Sequence, residues 1–364
     1  MAVVREAGRR KYRTEQTGSP RNFNHNASRL IFPKPYPRKK VIPMIRKFLS
    51  LLVALSLLAL PAAFAEKAAP VRVGALKGPT AMGMVQMMAD KADAYDFTLA
   101  AAPDEIVPLL VKGELDIAAV PANLGSVLYN NTQGAVKALA INTLGVLYIV
   151  ERGDTVHSVA DLKGRTLVTA GKGSTPEYAL NYILSGNGLN PETDLTVEFK
   201  SEHAECLAAM LQDESIVAML PQPFATVAQT KAADMRVALD LTREWDALQE
   251  GAEAPSAMIT GIAVARADFV QAQPEALAQF MADYAESVKF VQENVEEAAG
   301  LIGRFEIFEA GPARKALPFC NIVFIDGEAM KARLGGYLEA LMAQDPAAVG
   351  GALPGDDFYY VAAD

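Results

Sequence analysis

From Val71 to about Ala265 the chain alternates short apolar runs with amphipathic stretches. The runs are rich in Val, Ile, Leu and Ala and are bounded by Gly, Pro or Asp, the signature of buried strands. They predict strands at Val71–Leu76, Phe97–Ala101, Asp116–Val120, Val136–Ile141 and Val146–Val150. Five more follow at Thr166–Ala170, Leu195–Phe199, Ile216–Leu220, Val237–Leu241 and Met258–Ala265. Between them, Ala81–Lys91, Glu105–Lys112, Pro176–Leu184 and Glu202–Gln212 carry apolar residues at helical spacing. Such alternation predicts α/β layers with parallel sheets. From Pro274 onward the pattern is helical, with Leu277, Met281, Tyr284, Val288 and Val291 forming one apolar stripe.

The alternation contains a pseudo-repeat. VRVGALKGPTAMGMV followed by GELDIAAVPANLGSVLY matches RTLVTAGKGSTPEYAL followed by DESIVAMLPQPFATVA. Each half has a strand, a Lys-Gly loop with Thr and a helix, then an acidic turn, an apolar strand ending in Pro, and another helix. The matched order predicts two lobes built on one plan. Ligands of open α/β sheets sit at the carboxyl ends of strands, so two facing lobes would enclose a cleft.

Charge divides the chain. Residues 1–43 hold eleven Lys or Arg and two Glu, while the residues after 65 carry a net charge of −20. Between them, Met44-Ile-Arg-Lys-Phe48 is a short basic segment, Leu49–Leu60 is uncharged and apolar, and Ala63-Phe64-Ala65 offers small residues for cleavage. This is the layout of a secretory signal peptide, and the apolar run is shorter than the roughly 20 residues of a spanning helix. Residues 1–43 fit no targeting pattern, so Met44 is the expected start and 1–43 a gene-model extension. No Cys follows the apolar run, which removes the lipid-anchored form. The expected product is exported, periplasmic or extracellular.

The whole chain has 364 residues, 51% hydrophobic and 21% charged, with a net charge of −9. That is globular, and its acidity argues against nucleic-acid binding. Two Cys and three His build neither a zinc ribbon nor a disulfide framework. Cys206 and Cys320 are expected as buried free thiols. AGKGST resembles a P-loop, but the glycine spacing is wrong and Gly173 stands where Ser or Thr must follow the Lys. Trp245 and the methionines at 82, 84, 87 and 88 suit packing, and His157 and His203 read as surface residues. No catalytic constellation emerges, and neither a cofactor nor a metal is expected.

The binding chemistry concentrates in the repeated loops. Lys77, Gly78 and Thr80 precede one helix. Gly173, Ser174 and Thr175 precede another, with Ser174 or Thr175 as N-cap and Pro176 as the first helical residue. Helix starts leave N–H groups free, each contributing about 0.3–1 kcal/mol toward a polar or anionic group. Asn123 and Gln222 follow strand-ending prolines and carry both donor and acceptor. Thr143 lies near the first crossing between lobes.

On these motifs the chain resembles the solute-binding proteins of ABC importers, in the nitrate, sulfonate, taurine and thiamine-precursor-like group. GALKGPTAMGMV, VPANLGSVLYN, INTLGVLYIV, AGKGSTPEYALNYIL and LPQPFATVA carry the likeness, which covers nearly all of the chain after the signal peptide. The resemblance implies a two-lobed type II periplasmic-binding-protein-like fold with a central cleft and a helical C-terminal segment. Lobe one would be 66–145 plus 266–364 and lobe two 146–265, with crossings near Gly145–Val150 and Gly261–Val264. It implies a monomer that captures a small organic solute, such as a vitamin precursor or a sulfonate, and delivers it to a membrane permease with its ATPase. The ligand-binding set would be Lys77, Gly78, Thr80, Asn123, Thr143, Gly173, Ser174, Thr175 and Gln222. The alternatives are a cofactor-free small-molecule lyase on the same fold and a ligand sensor for a membrane kinase.

Overall fold

The computed structural model describes residues 69–250 and 256–362, together with Lys34. The signal-peptide reading of 44–65 lies outside the described residues, as does the reading of 1–43 apart from Lys34. Four strands come first: β1 (Val71–Leu76), β2 (Tyr95–Ala100), β3 (Ile117–Pro121) and β4 (Val136–Leu144). Five follow: β5 (Leu147–Arg152), β6 (Thr166–Ala170), β7 (Thr196–Lys200), β8 (Val217–Pro221) and β9 (Met235–Asp240). The chain then returns through β10 (Ile259–Arg266) and β11 (Ile322–Asp326).

These strands build two sheets, ordered β2-β1-β3-β10-β4-β11 and β7-β6-β8-β5-β9. The repeat seen in the sequence is thereby a repeat of topology. In each sheet the second, first and third strands of the lobe run parallel, and the next place is filled antiparallel by a crossing strand. That strand is β10 in the first sheet and β5 in the second. The sheets are mixed where the sequence pattern predicted parallel ones, because apolar runs do not encode strand direction. The architecture is the two-lobed type II fold.

Three boundaries differ from the sequence reading. Residues 259–265, placed with lobe two, run in the first sheet between β3 and β4. The return crossing therefore precedes Ile259. The C-terminal part is not wholly helical, because Ile322–Asp326 adds an edge strand on β4. Ala81–Lys91 is not one helix but two short ones, Pro79–Met82 and Val85–Asp90. They break at Gly83, where a Cβ would come 3.0 Å from Ile322 Cγ2.

The first crossing needs a small residue. At Gly145 a Cβ would sit 2.1 Å from Thr242 Oγ1, so only glycine lets the chain pass the helix Leu241–Leu248 on its way from β4 to β5. The long helix Pro274–Glu293 buries Leu277, Tyr284, Val288 and Val291, as its stripe predicts, and Met281 packs at the margin. Met82, Met84, Met87 and Met88 lie in the same core. Cys206 and Cys320 are buried and unbridged. Among the described residues no helix is long and apolar enough to cross a membrane.

Candidate functional site

The carboxyl ends of the parallel strands in both sheets converge on a cavity of about 320 Å³, at the lower end of the roughly 300–1,000 Å³ usual for small-molecule sites. The first lobe contributes the loops after β1 and β2, the end of β3, Thr143 of β4 and Thr260 of β10. The second contributes Val146 and Leu147 at the crossing and the loops after β6, β7 and β8. Ile307 and Phe308 close the wall from the C-terminal segment.

Six of the nine residues expected at the ligand line this cavity: Lys77, Gly78, Thr80, Thr143, Ser174 and Gln222. The packing at Gly261 explains how Thr80 and Thr143 come together. A Cβ there would lie 2.7 Å from Thr80 Cγ2 and 3.2 Å from Thr143 Oγ1, so glycine leaves the space those side chains use.

The other three lie elsewhere. Asn123 is fully buried at the start of the helix Ala122–Asn131, and both ends of its amide bond protein. Its Nδ2 donates to the Ala348 carbonyl at 3.0 Å, and its Oδ1 accepts from Thr175 Oγ1 at 3.2 Å. Thr175 is thereby held between lobes, and Tyr337 Oη also reaches its Oγ1 at 3.5 Å. The Gly173 N–H is occupied by Glu177 Oε2 at 2.5 Å. Ser174 sits at the N-cap, yet its hydroxyl donates back to the Gly171 carbonyl at 2.8 Å and makes no side-chain cap.

Three threonines that line the cavity share this habit. Thr80 donates to the Leu76 carbonyl at 2.8 Å, Thr143 to Asn142 Oδ1 at 3.0 Å, and Thr260 to the Leu144 carbonyl at 2.5 Å. Each of these hydroxyls thus has a protein oxygen within hydrogen-bond reach. Gln222 accepts at Oε1 from Thr226 N and Oγ1, and its side chain also bonds the Tyr148 hydroxyl. Three loop N–H groups are taken by carboxylates. Glu105 accepts from Ala101 and Ala102, and Glu205 accepts from Ser201, each at 3.0 Å.

Sequence reasoning missed the loops after β2 and β7 and the aromatic wall. His203, read as a surface residue, opens the helix His203–Gln212 and lines the cavity. Its Nδ1 is buried without a hydrogen-bond partner, and burial pushes the imidazole down to about 4, so the ring is neutral at ordinary pH. His203 lies 5.8 Å from the Phe224 ring, and Phe224 meets Phe308 edge-on at 5.2 Å. The signal available was positional: β7 is the second lobe's counterpart of β2, and its loop had to reach the same mouth. Trp245 is fully buried, stacked on Tyr182 at 4.2 Å, and lies outside the cavity wall.

A two-lobed frame with loops of both lobes around one small cavity is the geometry of a binding protein, and comparison names the kind. The family model described as "ABC transporter, phosphonate, periplasmic substrate-binding protein" matches residues 86–314, more than half of the chain. The chain belongs to this family of ABC-transporter substrate-binding proteins. No curated protein sequence matches it.

Solved structures agree on the fold. An ABC transporter protein from Parabacteroides distasonis superposes with a TM-score of 0.67 at 23% identity, covering 80% of this chain and 98% of that one. The periplasmic aliphatic sulphonate binding protein SsuA of Escherichia coli gives 0.64 at 16%, covering 80% and 92%. The alkanesulfonate-binding protein SsuA of Xanthomonas axonopodis pv. citri, bound to MOPS, gives 0.60 at 15%, covering 79% and 96%. At these identities the likeness is one of fold.

Proposed function

We propose that this protein captures a small organic solute between its two lobes outside the cytoplasm and releases it unchanged to a membrane permease driven by an ATPase. The observation that carries this reading is the cavity itself, walled by strand-end loops from both sheets and by Phe308 of the C-terminal segment. A solute touching both walls makes contacts in the closed arrangement that a parted one lacks, and so shifts the lobes toward closure. Residues 44–65 supply the export signal. The protein acts as a monomer without cofactor and performs no chemistry on the solute, which belongs to the vitamin precursors, sulfonates or similar small molecules.

The test is native mass spectrometry of protein purified from its own cells, followed by release and re-addition of the bound molecule. Recovery of the molecule unchanged, with a rise in melting temperature on re-addition, is the expected result. At a hundredfold excess over the dissociation constant the stabilisation is about 2.7 kcal/mol. Conversion of the released molecule on incubation would overturn the reading in favour of an enzyme.

A further inference from the structure

We propose that the cavity takes an organic oxyanion with an uncharged, apolar tail, and that Phe224 and Phe308 select this tail over one ending in an ammonium group. The proposal rests on the solute-capture reading above. An oxyanion head is the ligand class of the family, and the inference concerns the other end of the molecule.

The wall divides into two parts. The N–H groups of Gly78 and Thr80 in the loop after β1, and of Glu202 and His203 in the loop after β7, have no acceptor among the described residues. All four residues line the cavity, two from each lobe. Backbone donors converging on a small enclosed space suit an oxyanion. His203 Nδ1, buried and without a hydrogen-bond partner, belongs to the same end.

From His203 onward the wall turns aromatic. Its ring lies 5.8 Å from Phe224, and Phe224 meets Phe308 edge-on at 5.2 Å. Phe224 opens the helix Phe224–Lys231 of the second lobe, and Phe308 arrives with Ile307 from the C-terminal segment. The rings therefore lead from the backbone donors to a place where the two lobes meet.

Little on this stretch answers a positive charge. Gln222 lies in the loop just before Phe224, but its Oε1 already accepts from Thr226 and its side chain bonds the Tyr148 hydroxyl. The ionisable side chains lining the cavity are Lys77, Glu202 and His203. Burial keeps the His203 imidazole neutral at ordinary pH. Glu202, the one carboxylate in the wall, is exposed and stands next to His203 at the head-group end. An ammonium tail among Phe224, Ile307 and Phe308 would lose its hydration and find no carboxylate there. A cation–π contact returns less than that loss. An alkyl or aryl tail gains from its own burial instead.

The experiment uses the purified exported protein and probes that share a head. Propylphosphonate and aminoethylphosphonate have the same length and differ in a terminal methyl against an ammonium. Propanesulfonate and aminoethanesulfonate repeat the comparison on a head of fixed charge. Titration calorimetry is expected to show the propyl compound binding at least about tenfold tighter than its amino counterpart on the head the protein accepts. Propylphosphonate is also expected to bind about tenfold tighter than methylphosphonate, for two further buried methylenes. Phe224→Ala and Phe308→Ala are each expected to bring that propyl-to-methyl ratio down toward unity. A merely structural role would weaken both compounds and leave the ratio as it was. Phe308 lies in a half-buried loop, so Phe308→Ala carries the test should Phe224→Ala fail to fold.

The proposal is overturned if an amino probe binds as tightly as its propyl counterpart, or if the propyl-to-methyl ratio survives in the folded variants. It is also overturned if no probe binds. In that last case, release of a small molecule from native protein would leave the solute-capture reading standing. Absence of any released molecule would remove both.

Discussion

Asn123 of the first lobe accepts a hydrogen bond from Thr175 of the second, Oγ1 to Oδ1 at 3.2 Å, with both residues almost wholly shielded from water. This bond ties the start of one helix to the start of another across the cleft, beside the cavity rather than within it. Asn123→Ala removes it and leaves the Ala348 carbonyl and the Thr175 hydroxyl without that partner. The expected loss is about 1–3 kcal/mol of stability. The variant also populates the parted arrangement more, so ligand affinity falls although no ligand contact is lost. Urea melts and the radius of gyration from X-ray scattering check this. Unchanged values for both would show that the contact does not govern closure.

Trp245 reports on the same junction. Its ring stacks on Tyr182 of the second lobe and lies 5.5 Å from Tyr337 of the C-terminal helix Gly327–Gln344, and its Nε1 donates to Ser256 Oγ at 3.1 Å. It is the sole tryptophan. The native protein is expected to emit at the blue end of the tryptophan range and to resist acrylamide quenching. Trp245→Ala is expected to cost about 3–5 kcal/mol, the range for large-to-small changes in a packed core.

Glu151 is a buried carboxylate serving the second lobe. It accepts from Thr155 N and Oγ1 and from Val156 N, and it pairs with Arg236 at 2.6 Å. Burial raises its pKa, but the hydrogen bonds from Thr155 and Val156 and the nearby guanidinium outweigh that, and the net shift is below the ordinary 4.5. A depressed carboxylate contributes stability that is fully present above its unfolded pKa and is lost as pH falls through the folded value. Glu151→Gln is therefore expected to lower stability by about 1–3 kcal/mol at neutral pH and to flatten the decline below about pH 4.5. Melting curves across acid pH read both effects.

The two thiols give a test of the fold's closure. Cys206 and Cys320 are fully buried, and burial pushes each up to about 12. A thiol so far above ambient pH presents almost no thiolate. Neither is expected to react with a thiol reagent near pH 8 until the chain unfolds, when both should react. Rapid labelling of the native protein would contradict their placement.

How much was legible in the sequence follows from what kind of pattern encodes each feature. β1 and β6 were readable to the residue because each is an apolar run with a glycine-containing loop directly after it. β11 was hidden because Ile322–Asp326 lies on the sheet edge, where half-exposed Val323, Phe324 and Ile325 read equally well as helix. His203 was misplaced because a lone histidine has no periodicity. Asn123 was expected to contact the ligand, but the sequence could not show that Ala348 and Thr175 would arrive to bond both ends of its amide.

By itself the sequence determined the order of strands and helices, the duplication of one lobe plan, and the loops that would face each other. These follow from local periodicity and turn chemistry, which act between neighbours in the chain. Only the tertiary structure decided strand direction, the exchange of β5 and β10 between sheets, which side chains meet at the cavity, and which protein oxygens lie within reach of their hydroxyls. Those depend on contacts between residues far apart along the chain, where a single buried partner settles whether a polar group binds its own protein or is left for a guest.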